Sequence, residues 1–155
     1  MADLAELARR TLAGSRFMVL GTVDPSGRPR VSPVWFSLVD HRDAYWLSSP
    51  DAHHSRNIEA RPEVSIVVFD PRADPYTGQA VYLEATAGRV PEAELEAACV
   101  AAFEHVEDDL SFTPETLEDE PFVLYRARVT ASEIHVRGRD FGDGLGSDQR
   151  VPVAL

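Results

Sequence analysis

Residues 30–36 read Arg30-Val31-Ser32-Pro33-Val34-Trp35-Phe36, and two related segments follow, Tyr45-Trp46-Leu47-Ser48-Ser49 and His53-His54-Ser55-Arg56-Asn57-Ile58. Side chains on a strand alternate between its two faces. The alternation assigns Arg30, Ser32 and Val34 to one face, and Val31, Pro33 and Trp35 to the other. The first face combines a cation with a hydroxyl group, which suits an anion. The three segments therefore predict an anion site built across two strands and the start of a helix.

Pro33 is the second informative feature of this strand. Proline has no N–H group, so it does not fit a central strand that is hydrogen-bonded on both sides. We therefore expect the strand to bulge or to lie at an edge of its sheet, where backbone groups are available to a ligand.

Length and cysteine content set the outer limits. A chain of 155 residues is typical of one domain with its own core, so we expect a single domain over residues 1–155. The single cysteine, Cys99, lies in an apolar run and is interpreted as a small buried residue. One cysteine allows no internal disulfide, which is typical of a reducing compartment. No signal peptide or membrane span is evident, so the expectation is a cytoplasmic protein without a membrane partner.

The formal net charge of −11 is concentrated in one segment. Residues 91–120 contain eleven Asp and Glu and no Arg or Lys, and the rest of the chain is neutral. An acidic total argues against a nucleic-acid partner, but local arginines can still bind a small anion. The chain contains no lysine, which excludes a P-loop and a Schiff-base lysine. Phosphate binding must therefore use Arg, His, hydroxyl and backbone groups.

Hydrophobic periodicity predicts an α+β fold around an antiparallel sheet. Strands are predicted over residues 17–23, 30–39, 44–48, 64–69, 79–90 and 122–134, and helices over 3–12, from a cap at Asp51 or Ser55 to Ala60, and over 91–106. Six strands of this kind would close into a small barrel with peripheral helices. The acidic segment 104–120 is interpreted as a second helix or a flap. Residues 135–155 are predicted to form a flexible tail, and their Gly-Asp-Gly-Leu-Gly at 142–146 lacks the context of a dinucleotide fingerprint.

The chain resembles the pyridoxamine 5'-phosphate oxidase-like flavin-binding split barrels. The resemblance rests on the order and spacing of Ser15-Arg16-Phe17-Met18-Val19-Leu20-Gly21-Thr22, Gly27-Arg28-Pro29, Val31-Ser32-Pro33-Val34-Trp35-Phe36, Ser55-Arg56-Asn57-Ile58 and Arg61-Pro62-Glu63-Val64-Ser65-Ile66. It implies a six-stranded split barrel, a homodimer and a flavin mononucleotide (FMN) in the groove between subunits. It also places Arg30 and Ser48 at the phosphate.

This chain departs from the family pattern at two places. His53-His54 stand where the family commonly has Arg-Lys, and histidine is fully charged only below a pKa of about 6.5. We therefore expect FMN binding to weaken as the pH rises. Near the C-terminus, Arg150-Val151-Pro152 replaces the Arg-x-His of the oxidase branch, so oxidation of vitamin B6 is not expected and the substrate stays open.

The candidate cofactor-binding residues are Arg30, Val31, Ser32, Pro33, Val34, Trp35, Ser48, Ser49, His53, His54, Ser55, Arg56, Asn57, Gln79 and Arg150. Simpler interpretations stand beside this one. Arg30 and the two histidines can be solvated charges. Trp35 and Trp46 can be core or interface anchors. Asn57 can simply bond a nearby loop. No metal site is expected, because adjacent histidines rarely aim at one ion.

Three functions of different classes follow from these residues. The leading hypothesis is an FMN-dependent oxidoreductase that transfers a hydride to or from a small organic substrate. The second is a reductase that uses the deazaflavin coenzyme F420. The third is a non-catalytic protein that holds flavin or haem on the same barrel. No catalytic acid or base can be named from the sequence.

Overall fold

The computed structural model describes residues 3–75, 77–106, 110–140 and 146–155. The helices are α1 (Leu4–Ala13), α2 (His53–Ala60), α3 (Glu92–Phe103) and α4 (Pro114–Glu118). The strands are β1 (Phe17–Val23), β2 (Pro29–Trp35), β3 (Ser37–Val39), β4 (Asp43–Ser48), β5 (Glu63–Phe69), β6 (Ala80–Arg89), β7 (Val123–Val136) and β8 (Gln149–Pro152).

The strands form one curled antiparallel sheet in the order β2-β1-β5-β6-β7-β4-β3, and β8 pairs with the second half of β7. This confirms the α+β class and agrees with a split barrel. The prediction of six strands is wrong, because eight strands form the sheet in the described part of the chain. One extra strand arises where the predicted strand 30–39 breaks at Phe36. That residue is buried and its N–H donates to Arg16 O at 3.2 Å, so β2 and β3 join different partners.

The other extra strand lies in the predicted tail. β7 continues to Val136, and a 3₁₀ turn over Gly138–Asp140 precedes β8. Ser132 ties the end of the chain to β7, since its Oγ donates to Val153 O at 2.7 Å. The described part of the tail is therefore paired with the sheet. Residues 142–145 of the glycine-rich motif lie outside the described residues.

β2 ends the strand order, so Pro33 lies on an edge strand as the sequence predicts. The register Leu20↔Ser32 and Val19↔Pro33 places directly opposed residues on the same face of the sheet. The inner face of β1 carries Met18 and Leu20, both buried in the main core. Ser32 therefore faces inward and Pro33 faces outward, which confirms the predicted alternation.

The helices begin and end differently from the sequence prediction in two cases. Neither Asp51 nor Ser55 caps α2, whose N-cap is Ala52 without a side-chain hydrogen bond. Ser55 lies inside the helix and is buried, and Asp51 is held in the preceding loop. α3 ends at Phe103 and not at Val106, and Pro91 is its N-cap. Among the described residues, no helix is long and apolar enough to cross a membrane.

The acidic segment forms a short helix, α4, whose N-cap Thr113 makes a reciprocal capping box with Thr116. Leu117 is buried in a second apolar cluster that also contains Cys99 and Phe103 of α3 and lies outside the main core. Cys99 is thus a buried apolar residue, as expected, and burial raises the pKa of its thiol. Residues 107–109 lie outside the described part of this segment.

Candidate functional site

The start of α2 lies against the end of β4. β4 ends at Ser48, and a four-residue connection in which Ala52 N donates to Ser49 O at 3.1 Å leads into the helix. The Ser48 hydroxyl and His54 Nε2 are 2.7 Å apart. The structure therefore joins two of the residues that the sequence assigns to the phosphate.

His54 is half-buried, and its exposed neighbour His53 is the preceding residue, at the start of the helix. Burial lowers the pKa of His54, and repulsion by His53 lowers it further, because both disfavour the charged ring. No carboxylate among the described residues contacts His54. The Ser48–His54 pair therefore lacks the orienting acid of a catalytic triad and is suited to binding.

The buried side of α2 faces β1 and the edge strand. Asn57 Nδ2 donates to Thr22 Oγ1 at 3.0 Å, and both residues are buried. Thr22 is the cross-strand partner of Arg30, so this bond fixes the middle of α2 beside Arg30. Ser55, which is 2% exposed, has a buried hydroxyl with no hydrogen-bond partner in the described part of the chain.

Arg30 is held by the turn that joins β1 to β2. Its Nε donates to Asp24 Oδ2 at 3.2 Å, and half of its side chain stays exposed. The pKa of Asp24 is lowered to about 2, chiefly by the hydrogen bond from the Ser26 hydroxyl, then by the Arg28 N–H, with a smaller contribution from Arg30. Arg30 is therefore an oriented cation within an ion pair.

The remaining predicted residues of this region have structural partners or face outward. Ser49 Oγ accepts from Asp51 N at 3.2 Å, and Arg56 Nη2 donates to Asp51 O at 2.7 Å, so these residues shape the loop before α2. Val34 faces inward with Ser32, opposite Met18. The outward residues of β2 are Val31, Pro33 and Trp35, of which Val31 is 73% exposed and Trp35 contacts the second apolar cluster.

Trp46 is a core residue, in agreement with the simpler of its two interpretations. It is fully buried and its ring stacks on Tyr125 of β7 with centroids 5.6 Å apart. Its indole nitrogen has no hydrogen-bond partner among the described residues.

Gln79 and Arg150 lie in a separate region. Gln79 lines an open cleft of about 710 Å³ whose wall includes Phe69, Tyr82 and His135. Its Oε1 is buried, with no partner in the described ranges. The guanidinium carbon of Arg150 lies 3.7 Å from the centre of the Tyr82 ring, which is a cation–π geometry.

The cleft lies on the outward face of the sheet. The pairs Val19↔Pro33, Val19↔Val67 and Val67↔Tyr82 form one continuous row across that face. α2 packs on the opposite face, through Asn57 and Thr22. Within one chain, the predicted residues thus lie in two groups on opposite faces of the sheet.

Sequence reasoning missed several residues of these two groups. The alternation of β1 indicates that Thr22 faces inward. The contact of Asp24 with Arg30 depends on how the turn between β1 and β2 closes, which the sequence alone does not indicate. The grouping of Tyr82, His135 and Asp148 with Arg150 depends on the pairing of β8 with β7. This pairing places His135 opposite Arg150, and His135 Nε2 lies 3.0 Å from Asp148 Oδ2. No sequence signal pointed to that pairing. In the part of the chain that is described, no three His, Cys, Asp or Glu residues are grouped as metal ligands.

Solved structures show how widely this fold is used. The match to a haem-binding protein from Mycobacterium smegmatis covers 98% of this chain and 59% of that protein, with a TM-score of 0.71 and 24% identity. An FAD-binding protein from Mesorhizobium loti matches 86% of this chain and 94% of its own, with a TM-score of 0.66 and 19% identity. The match to an F420 reductase covers 75% of this chain and 87% of the reductase chain, with a TM-score of 0.53 and 25% identity. The first two likenesses, below 25% identity, show the fold alone.

Sequence comparison is more specific. A pyridoxine/pyridoxamine 5'-phosphate oxidase from Rubrobacter xylanophilus is 33% identical over 92 residues, which are 59% of this chain. The chain spans only 41% of the length of that curated relative. The family model described as pyridoxamine 5'-phosphate oxidase matches residues 4–134, which include all of β1 to β6 and most of β7. The chain therefore belongs to the pyridoxamine 5'-phosphate oxidase-like split-barrel family.

Proposed function

We propose that this chain binds FMN and is a flavin-dependent oxidoreductase acting on a small organic substrate. The observation that carries the proposal is the start of α2. There, a helix without a side-chain cap begins beside the Ser48–His54 pair and the Ser55 hydroxyl, which has no partner among the described residues.

This arrangement fits a phosphate. The first N–H groups of a helix have no partner within the helix, and the helix dipole favours negative charge there. Ser48, His53 and His54 add hydroxyl and imidazole groups to the same end of α2. Lysine is not needed, because these donors together supply the hydrogen bonds that a phosphate accepts.

Arg30 is assigned a supporting role at this end of the ligand. Its bond to Asp24 uses one of the five N–H donors of the guanidinium, and the half-exposed remainder can reach an anion at the edge of the sheet. The Asp24 carboxylate reduces the net positive charge that a ligand meets. We therefore expect Arg30 to contribute through directed hydrogen bonds more than through long-range attraction.

The isoalloxazine end is assigned to the outward face, where Gln79, Tyr82 and Arg150 lie. Gln79 Oε1 is a buried acceptor without a partner in the described residues, and a ring N–H would satisfy it. Bound flavin would supply hydride transfer, for which the protein need only orient the ring, contact its polar edge and exclude water. No residue of the chain is assigned as acid or base.

A homodimer is part of the proposal. The outward face carries Phe17, Val31 and Phe69, which are 59%, 73% and 40% exposed. A second copy would cover this apolar surface and would place the outward group of one chain near the edge strand of the other. The flavin would then lie between the two subunits.

The substrate is proposed to differ from vitamin B6 phosphates. Arg150 stacks on Tyr82 and is followed by Val151 and Pro152, so the Arg-x-His pattern has no counterpart on β8. The curated oxidase shares only part of its length with this chain, so its activity is not transferred. The site supports a small organic substrate on the exposed face of the ring.

Two other ligands are kept as outcomes of the test. Haem is kept because a haem-binding protein from Mycobacterium smegmatis has this fold, although that likeness shows the fold alone. F420 is favoured by the likeness to an F420 reductase, but its acidic tail needs an extended basic groove, and this chain has no lysine.

The visible spectrum of the protein purified from cells, followed by titration of the stripped protein with FMN, haem and F420, tests the proposal. We expect the absorption bands of oxidised flavin and tightest binding of FMN. A Soret band with preferential haem binding, or preferential F420 binding, would overturn it.

A further inference from the structure

We propose that phosphate binding at this site is coupled to protonation of His54, which reverses the Ser48–His54 hydrogen bond and turns Ser48 into a donor to a phosphate monoester. The inference rests on the proposed function and concerns the regulation of the same site.

The geometry permits only one proton between the two atoms. Ser48 Oγ and His54 Nε2 are 2.7 Å apart, so either the hydroxyl donates to the neutral ring or the protonated ring donates to the hydroxyl oxygen. In the first arrangement the Ser48 hydroxyl donates its proton to a hydrogen bond with His54 and cannot donate it to a ligand. In the second, it is released and can point to an anion. One protonation therefore adds both a cation and a hydroxyl donor to the site.

The surroundings of His54 disfavour its charged form. Burial and the adjacent His53 both lower its pKa. The other charged residues of α2 are Arg56, a cation that is bonded to Asp51 of the preceding loop, and the exposed Glu59. Glu59 is five positions from His54, so it does not share the helix face of His54 and does not stabilise an imidazolium there.

The strands packed against α2 lead to the same conclusion. β2 contributes Arg30, which is a cation paired with Asp24. The inward residues of β1 and β6 facing the helix side are Met18, Leu20, Thr22, Val81, Leu83, Ala85 and Ala87, and none of them titrates. Ser48 is the polar residue that β4 brings to the ring. A bound phosphate would thus supply the anion that favours protonated His54.

The sign of the pH dependence follows. A phosphate raises the pKa of His54 from its lowered value, and by linkage protonated His54 raises the affinity for phosphate. Affinity should fall as the pH rises between the free and the bound pKa, by up to about tenfold per pH unit for one proton. The second ionisation of the phosphate, near about 6, acts in the opposite direction and has little effect above pH 7.

Calorimetric titration with FMN at pH 7.5, in buffers that differ in heat of ionisation, measures the proton uptake directly. We expect uptake of a substantial fraction of one proton with FMN, and none with riboflavin, which lacks the phosphate. The variant His54→Arg should bind FMN without uptake and with nearly constant affinity from pH 7 to 8.5. His54→Gln should also lose the uptake. The matched control His105→Gln, whose side chain is 91% exposed, should behave like the parent protein.

Ser48 is tested separately. Ser48→Ala should weaken FMN binding about 5- to 20-fold at pH 6.5, and Ser48→Thr, which keeps the hydroxyl, should restore most of it. Equal proton uptake by the parent and by His54→Arg, or FMN binding by the parent with no uptake, would overturn the inference and leave the proposed function standing. If the parent binds neither FMN nor riboflavin, the proposed function fails and this inference fails with it.

Discussion

At the scale of single residues, Asp24 shows how a short turn orients the guanidinium of Arg30. Its carboxylate accepts hydrogen bonds from the Ser26 hydroxyl and N–H, the Arg28 N–H and Arg30 Nε. These bonds lower its pKa to about 2. A carboxyl whose folded-state pKa is depressed contributes stability above the unfolded-state pKa, and this stability is lost as the pH falls through the folded-state value.

We therefore predict that Asp24→Asn removes part of the acid dependence of stability between about pH 4 and pH 2. Urea unfolding of both proteins at several values in this range is the measurement. The parent should lose stability more steeply than the variant as the pH falls. Parallel curves would show that Asp24 titrates without coupling to the fold.

Backbone conformation gives a second prediction at this scale. Asp40 and His41 both have positive φ, of 51° and 54°, in the turn between β3 and β4, and Gly27 has a φ of 85°. A non-glycine residue in this region carries a steric cost of about 1 kcal/mol or more. His41→Gly should therefore stabilise the protein by about 0.5–1 kcal/mol, after the entropy lost by glycine is deducted.

Gly27→Ala is the matched opposite change. No atom of the described residues lies within 4 Å of a Cβ at position 27, so only the backbone conformation opposes the substitution. It should cost about 1 kcal/mol in thermal or urea unfolding. If both substitutions shift stability in the same direction, conformational strain is not the cause.

At the scale of elements, the bond between Asn57 and Thr22 joins α2 to β1. Removing the amide leaves the buried Thr22 hydroxyl without its donor, so Asn57→Ala should destabilise the protein by about 1–3 kcal/mol. Thr22→Val combined with Asn57→Leu should recover part of that loss, because both polar groups are then removed. The free energy of unfolding in urea tests both variants. If the double variant loses as much stability as the two single substitutions together, the hydrogen bond between Asn57 and Thr22 does not couple α2 to β1.

The elements also show how far the sequence predicts the structure. The alternation along residues 30–36 predicts the two faces of β2, and Pro33 predicts an edge strand, because both depend on local geometry. The interruption at Phe36 and the pairing of β8 with β7 depend on contacts with Arg16 and with residues 133–136. Such long-range contacts leave no local periodicity, so the strand count was wrong.

The same distinction applies to the candidate site. Ser48 and His54 are six positions apart, and a strand followed by a helix start brings them together in a way that the sequence indicates. The ion pair of Arg30 with Asp24 and the stacking of Arg150 on Tyr82 depend on how a turn and a distant strand close. The prediction of the α2 cap is wrong because the helix begins at His53, which makes Ala52 the N-cap, and the Asp51 carboxylate lies 4.0 Å from Arg56 Nη2.

At the scale of the whole molecule, the outward face of the sheet is the surface that a second copy would cover. Val31→Glu places a charge on the outward face at the edge strand β2 and should shift a dimer to monomer in sedimentation at micromolar concentration. Val100→Glu is the matched control, because Val100 is similarly exposed, at 67%, but belongs to α3 and not to a strand of the sheet. A protein that is monomeric before any substitution, with flavin bound, would contradict the dimer.

The central claim, that this chain holds FMN by its phosphate, is tested most directly by comparing its equilibrium affinities for FMN and riboflavin at pH 6.5. Charge-assisted contacts contribute about 1.5–3 kcal/mol, so FMN should bind at least about tenfold more tightly. Arg30→Ala should reduce this preference with a much smaller effect on riboflavin. Equal affinity of the parent protein for the two ligands would contradict the account.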